Sequence, residues 1–203
     1  MLYSLSEIFY SIQGEGYHAG EPAVFIRLAG CNLSCPWCDT DCSSHHQLTA
    51  KEIVSNVLHA CSLPKLIVIT GGEPTTQDLT ELLKELSRRI KYAVIAVETN
   101  GTYLESLLVF KDNGLLNWIT VSPKPQVIQS YNQDTLIFCD EIKVVLDGVI
   151  DPLQFGVRFN RQFLKGTMFI QPCSENFQPA VDFVKQHPDW RLSVQLQKVI
   201  HVP

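Results

Sequence analysis

Three cysteines, Cys31, Cys35 and Cys38, fall within one short segment, CNLSCPWC, with C-x3-C-x2-C spacing. Thiolates this close in sequence converge on one centre only if the intervening chain wraps around it. The turn-forming residues Asn32, Ser34 and Pro36 permit that wrap. Soft sulfur ligands narrow the centre to zinc or an iron–sulfur cluster. Structural zinc takes four protein ligands, and Cys42, His45 or His46 could each supply a fourth. A 4Fe–4S cluster on three thiolates instead leaves one iron open to a substrate or cofactor. Ligand count alone leaves both possibilities standing.

The chain has seven cysteines in 203 residues, an odd number in a chain too long to be a small disulfide scaffold. Cys61 and Cys139 read as inert apolar fillers. Cys42 sits beside the cysteine loop but off its spacing, and Cys173 falls on a strand tip that also carries polar residues. Residues 1–13 lack the basic start and continuous apolar run of a signal peptide, and no stretch reaches the ~18 apolar residues of a membrane span. A cytoplasmic protein with reduced thiols is the expectation. Acidic residues outnumber basic ones by 21 to 16, for a net charge of −5. That balance argues against a nucleic-acid partner, which would want a basic face. A hydrophobic content of 45% excludes a disordered chain. A single domain of this size buries roughly 70% of its unfolded surface without staples.

The elements that must hold the cysteine loop follow from the hydrophobic periodicity. Short β-branched runs at 23–29, 65–70, 93–98, 118–121, 141–146, 168–171 and 192–195 predict strands. Helical patterns lie between them at 49–61, 76–90 and 179–187. The first of these opens with Thr49 and Glu52, a capping-box pair. Uniformly apolar strands alternating with helices predict an α/β protein with a parallel sheet. A complete eight-unit barrel needs about 250 residues, so the expectation is an incomplete, open (β/α) barrel of about six parallel strands. Sites in such folds lie at the C-terminal strand ends. Five predicted strands end in unusual tips: Gly30-Cys31, Gly71-Gly72-Glu73-Pro74, Thr99-Asn100-Gly101, Ser122-Pro123-Lys124 and Pro172-Cys173-Ser174. Each alone could be a turn; five on one rim read as a site.

C-x3-C-x2-C with Trp37 before the third cysteine, followed by Gly71-Gly72-Glu73-Pro74 on the next tip, resembles the radical S-adenosylmethionine superfamily. The resemblance sharpens through Phe9-Tyr10-Ser11-Ile12-Gln13-Gly14-Glu15-Gly16, Phe25-Ile26-Arg27-Leu28, Cys38-Asp39-Thr40, Ser122-Pro123-Lys124, Gln171-Pro172-Cys173 and the final Ile200-His201-Val202-Pro203. Together these are similar to the 7-carboxy-7-deazaguanine synthase family, over residues 8–203. The resemblance implies one domain spanning 1–203, with residues 1–22 as a substrate-binding extension on a partial barrel. It also implies a lyase that converts 6-carboxy-5,6,7,8-tetrahydropterin to 7-carboxy-7-deazaguanine with loss of ammonia, in queuosine and 7-deazapurine biosynthesis. The implied cofactors are a 4Fe–4S cluster, S-adenosylmethionine and magnesium. The implied partners are a second copy of the chain and a flavodoxin- or ferredoxin-type electron donor. Reductive cleavage of S-adenosylmethionine would yield a 5′-deoxyadenosyl radical that takes hydrogen from C6 of the pterin.

Carried over by motif, Cys31, Cys35 and Cys38 would hold the cluster and Thr40 the magnesium. Trp37, Cys38, Asp39, Gly72, Ser122, Pro123, Lys124, Gln171, Pro172, Cys173 and Ser174 would bind S-adenosylmethionine. Ile12, Gln13, Gly14, Arg27, Thr70 and Pro203 would bind the pterin. Arg27 is a cation on an apolar strand, suited to pairing with a carboxylate, although Glu15 or Glu21 could neutralise it instead. His18, His45 and His46 are expected to be solvated. Residues 41–46 depart from the longer insert of many relatives. A glycyl-radical activating enzyme would share the cysteine spacing but not the Phe9–Gly16 motif, and a zinc-stabilised binding module would share only the cysteines.

Overall fold

In the computed structural model, the described residues are 1–43, 45–127, 136, 138–149, 151–153, 167–173 and 176–203. Seven parallel strands make up most of one sheet: β2 (Pro22–Leu28), β4 (Leu66–Gly71), β5 (Val94–Thr99), β6 (Trp118–Val121), β7 (Glu141–Leu146), β8 (Thr167–Pro172) and β9 (Trp190–Leu192). Two antiparallel strands, β1 (Leu2–Ile12) and β3 (His46–Thr49), extend its first edge, giving the order β3-β1-β2-β4-β5-β6-β7-β8-β9. The sheet does not close, as the length argument anticipates. Among the described residues the helices are α1 (Ala50–Ala60), α2 (Thr80–Arg89), α3 (Leu104–Asp112), α4 (Gln178–Gln186) and the single-turn α5 (Leu196–Val199). Among the described residues no helix is long and apolar enough to cross a membrane.

The two faces of the sheet do different work. Val24, Ile26 and Leu28 of β2 and Ile67 and Ile69 of β4 join Ile53, Val54 and Val57 of α1 and Leu82, Leu83 and Leu86 of α2 in the main core. The alternate residues Ala23, Phe25, Leu66, Val68 and Ala96 form a smaller apolar cluster on the opposite, concave face. This alternation leaves Arg27 and Thr70 at the next level up, facing the same side, because strand side chains repeat every second residue.

Six predicted strands are found within a residue or so of their expected bounds. The seventh is displaced: β9 is Trp190–Leu192, and beyond it Ser193 still donates its N–H to Ile170 O (2.8 Å) as the chain turns inward. The predicted capping box on α1 forms, with Thr49 N donating to Glu52 Oε2 at 2.8 Å and Glu52 N to Thr49 Oγ1 at 3.3 Å. The helix expected from residue 76 starts at Thr80. Pro74–Thr76 is a 3-10 turn capped by Glu73, and Asp78 Oδ1 accepts the Thr80 N–H (2.9 Å). Strand β1 escapes periodicity analysis for a physical reason. Its register shifts between Leu5 and Glu7, so Leu5 pairs with Leu28 and Glu7 with Arg27. The bulge turns the strand from one face to the other partway along.

Candidate active site

All seven parallel strands point their C-terminal ends to one rim, and there the tips enclose a cavity of about 760 Å³. The cysteine loop leaves β2 through Gly30, whose φ of +86° suits glycine, and is closed by Gly30 N–H to Cys42 O (2.8 Å). Inside it, Cys38 N donates to Cys35 O (3.1 Å). The loop's far end is tied to β1 by Ser6 Oγ, which donates to Ser43 O (2.6 Å). This wrap brings Cys31, Cys35 and Cys38 onto the cavity wall.

The second tip locks against the first. A Cβ on Gly72 would meet Gly30 O at 2.0 Å and Cys31 Cβ at 2.9 Å, so only glycine admits this approach. Glu73 is fully buried; its carboxylate accepts from Thr99 Oγ1 (2.7 Å), Asn100 N (2.6 Å) and Thr75 N (3.1 Å). Charge-assisted bonds of this kind are strong, and those from Thr99 and Asn100 join the tips of β4 and β5. Asn100 Nδ2 then reaches Asn32 Oδ1 (2.9 Å) in the cysteine loop.

Lysine charge backs the cysteines. Burial pushes the Cys35 thiol up, Lys124 opposes it, and Cys38 and Cys31 add like-charge repulsion. Lys124 lies 4.8 Å from the Trp37 ring centroid and donates to Ser122 Oγ (2.8 Å), while Trp37 Nε1 donates to Asp147 Oδ2 (3.2 Å). Asp39 pairs with Lys198. Among the described residues no three His, Cys, Asp or Glu side chains are grouped to hold a single metal ion. The donor set offered is three thiols around one cavity wall with a lysine behind them. That set fits an iron–sulfur cluster, which is ligated by thiolates at separate corners.

Ile12, Gln13, Gly14, Arg27, Thr70 and Pro203 line the same cavity as the cysteines. Gln13 is buried and donates to Glu98 Oε1 (3.0 Å). Gly14 lies under α5: its carbonyl accepts from Leu196 N (3.0 Å), and a Cβ there would sit 1.6 Å from Gln197 Oε1. Ser11 Oγ donates to Pro203 O (2.6 Å), which folds the last residue onto the cavity wall. Next to this set, Glu15 pairs with Lys143, and Lys143 also faces Glu98 at 3.6 Å. Gln195 Nε2 (2.9 Å) and Gln197 Nε2 (3.3 Å) complete the Glu15 carboxylate. Burial alone would raise Glu15, but Lys143 and the two amides outweigh it and hold the carboxyl at about 2. Burial would lower Lys143; Glu15, Glu98 and Glu141 drive it upward instead. Gln197 Oε1 is buried without a hydrogen-bond partner among the described residues. An orphaned acceptor of that sort in a cavity wall suits an N–H-bearing ligand.

Of the residues predicted from sequence, every described one except Pro123 lines this single cavity; Pro123 is buried between Ser122 and Lys124. Ser174 lies outside the described residues. Thr40 and Cys173 are on the wall, and so is Cys42, half-buried beside Cys38. Cys139 is buried, its thiol pushed up to about 12 by desolvation, in keeping with an inert filler. Two details differ from expectation. Arg27 pairs with Glu7 rather than with Glu15 or Glu21. His45 and His46 are exposed, but His18 packs edge-on against Trp118 (4.7 Å) with Nδ1 3.0 Å from Glu21 Oε1. It is held there because Tyr17 stacks on the same indole at 4.9 Å. Sequence reasoning missed Glu15, Glu98, Lys143, Gln195 and Gln197. The available signal was Lys143, a charge between the apolar Ile142 and Val144.

The chain is similar to known proteins in sequence and in fold. The sequence model of the radical SAM superfamily matches residues 25–125. The chain is 38% identical over 205 residues to the 7-carboxy-7-deazaguanine synthase of Bacteroides thetaiotaomicron, covering 100% of both chains. It is 37% identical to the synthase of that name from Prochlorococcus marinus, covering 97% of this chain and 96% of the other. The crystal structure of QueE from Escherichia coli superposes with a TM-score of 0.76 at 26% identity, covering 97% and 95% of the two chains.

Proposed function

Since this chain belongs to the 7-carboxy-7-deazaguanine synthase family of radical S-adenosylmethionine enzymes, we propose that its cavity converts 6-carboxy-5,6,7,8-tetrahydropterin to 7-carboxy-7-deazaguanine with release of ammonia. This is a lyase step of queuosine biosynthesis. The observation that carries the reading is that the cysteine loop and glycine tips share one cavity with Gln13, Gly14, Arg27 and Pro203. The cavity volume of about 760 Å³ is within the range of small-molecule sites.

Cys31, Cys35 and Cys38 are the residues that would hold a 4Fe–4S cluster. Trp37, Asp39, Gly72, Ser122, Lys124, Gln171, Pro172 and Cys173 are the neighbours suited to S-adenosylmethionine, with Pro123 between Ser122 and Lys124. When bound, the cluster and S-adenosylmethionine supply hydrogen-atom abstraction; the protein supplies position and charge. Arg27 offers a guanidinium to the pterin carboxylate. Ile12, Gln13, Gly14, Thr70 and Pro203 hold the ring system against it. Thr40 would offer a hard oxygen to magnesium, a cation that prefers oxygen ligands. The buried Glu15–Lys143 pair keeps residues 13–16 packed beneath the substrate wall. No side chain has to serve as a general base of shifted pKa.

The chain acts as one domain over 1–203, with 1–22 as the substrate-binding extension: β1 adds directly to the sheet edge and brings Ile12–Gly14 to the cavity. By family resemblance it works as a homodimer in the cytoplasm, reduced by a flavodoxin- or ferredoxin-type donor. The test is anaerobic turnover with the carboxytetrahydropterin, S-adenosylmethionine, magnesium and a reductant, with mass detection of the deazaguanine acid. Full cleavage of S-adenosylmethionine without that product would assign another substrate. Colourless protein holding one zinc would remove the radical chemistry altogether.

A further inference from the structure

Arg27 has a carboxylate and an aromatic ring for neighbours. The bulge in β1 sets Glu7 directly across from it, and Thr70 pairs with it on β4, so Glu7, Arg27 and Thr70 form one cross-strand row on the concave face. Glu7 Oε1 accepts the Arg27 Nε–H at 2.8 Å. The guanidinium carbon lies 5.5 Å from the Phe9 ring centroid, and Phe9 is itself stacked on Phe25 at 4.9 Å with planes 9° apart. The guanidinium therefore sits over an aromatic stack while its Nε–H is engaged by a carboxylate. Among the described residues the two terminal nitrogens of Arg27 have no hydrogen-bond partner, and the side chain lines the cavity.

We propose that Glu7 is a positioning residue for substrate recognition: it takes the Nε–H of Arg27 and thereby turns the paired terminal N–H groups toward the carboxylate of the ligand. The inference rests on the reading that Arg27 binds that carboxylate. Its chemical basis is the fork geometry of arginine. Two parallel N–H groups match two carboxylate oxygens only when the plane is fixed, and an arginine already fixed loses less freedom on binding. Glu7 is half exposed, its side chain at 53% against 24% for Arg27. Removing it therefore opens no core cavity, and its cost falls on Arg27 rather than on the fold.

The experiment measures equilibrium binding to the anaerobic, cluster-loaded protein for two ligands, 6-carboxytetrahydropterin and tetrahydropterin without the 6-carboxyl group. Glu7→Ala is expected to weaken the carboxylate-bearing ligand about tenfold and to leave the other unchanged. Glu7→Gln, which keeps an acceptor for Nε–H, restores most of that loss. Arg27→Met serves as the reference and loses the same discrimination. If Glu7→Ala weakens both ligands equally, Glu7 is merely part of the wall and the proposal fails. Unchanged or tighter carboxylate binding in Glu7→Ala, alongside a loss in Arg27→Met, also overturns it, because Glu7 would then be a competing counter-ion. Carboxylate binding untouched by Arg27→Met would refute the premise about Arg27, and the proposal with it.

Discussion

Glu15 and Lys143 are 128 positions apart in sequence and meet as a buried ion pair on the concave side of the sheet. Glu15 comes from the glycine-rich turn after β1 and Lys143 from the middle of β7. Gln195 and Gln197, from the last residues of the chain, bind the same carboxylate. One acid thus joins the beginning, middle and end of the chain beside the substrate wall.

Breaking that pair from one side leaves a buried charge without its partner. Lys143→Met is expected to destabilise the protein by about 3–5 kcal/mol, because Glu15 and Glu98 both lose their counter-ion. The double variant Glu15→Gln with Lys143→Met should recover much of the loss. Urea unfolding of the two proteins checks this, and equal midpoints would show that the pair does not act as a unit.

Two carboxylates give opposite pH dependences. Burial raises Glu141 to about 7, with Lys143 and the Tyr17 N–H opposing the rise and Glu98 and Glu15 adding to it. Its folded pKa exceeds the ordinary 4.5, so its contribution is fully present below that value and is lost as pH rises toward 7. Glu15 is depressed to about 2, so its contribution holds above 4.5 and fades as pH falls through 2. Glu141→Gln should therefore flatten the decline in stability between pH 4.5 and 7 by on the order of 1–3 kcal/mol. Unfolding free energies across that range, with the slope unchanged in the variant, would assign it to other groups.

The thiols divide by position. Cys35→Ala should lose the cluster, with its brown absorbance and about four iron atoms per chain. Cys42→Ala should retain both, although Cys42 lies on the same wall. Iron analysis of the two reconstituted proteins decides the three-ligand assignment.

Gly72→Ala is expected to cost roughly 1–3 kcal/mol and to weaken S-adenosylmethionine binding. The added carbon would meet the backbone carbonyl of Gly30 at 2.0 Å, and a backbone atom cannot rotate aside as a side chain can. Calorimetric binding together with a melting curve separates the two effects; wild-type values in both would show that the tips are not in this close contact.

The cysteine loop, the glycine tip and the parallel strands were legible in the sequence because each rests on local signals: ligand spacing, turn residues and unbroken apolar runs. The alternating strands also foretold that the motifs would share a rim, since parallel strands end on the same side. Strand β1 was not legible, because its bulge cancels the two-residue period that reveals a half-buried strand. Glu15 looked like part of a turn and Lys143 like a stray charge, and neither names the other.

The sequence by itself thus determined the chemistry available here: three soft ligands, glycines that allow close approach, and an arginine on an apolar strand. Only the tertiary structure decided which charges neutralise one another. Arg27 is paired by Glu7 through a register shift, and Glu15 is committed to Lys143. Charge pairing depends on distances of a few ångströms between segments remote in sequence, and those distances exist only once the sheet is assembled.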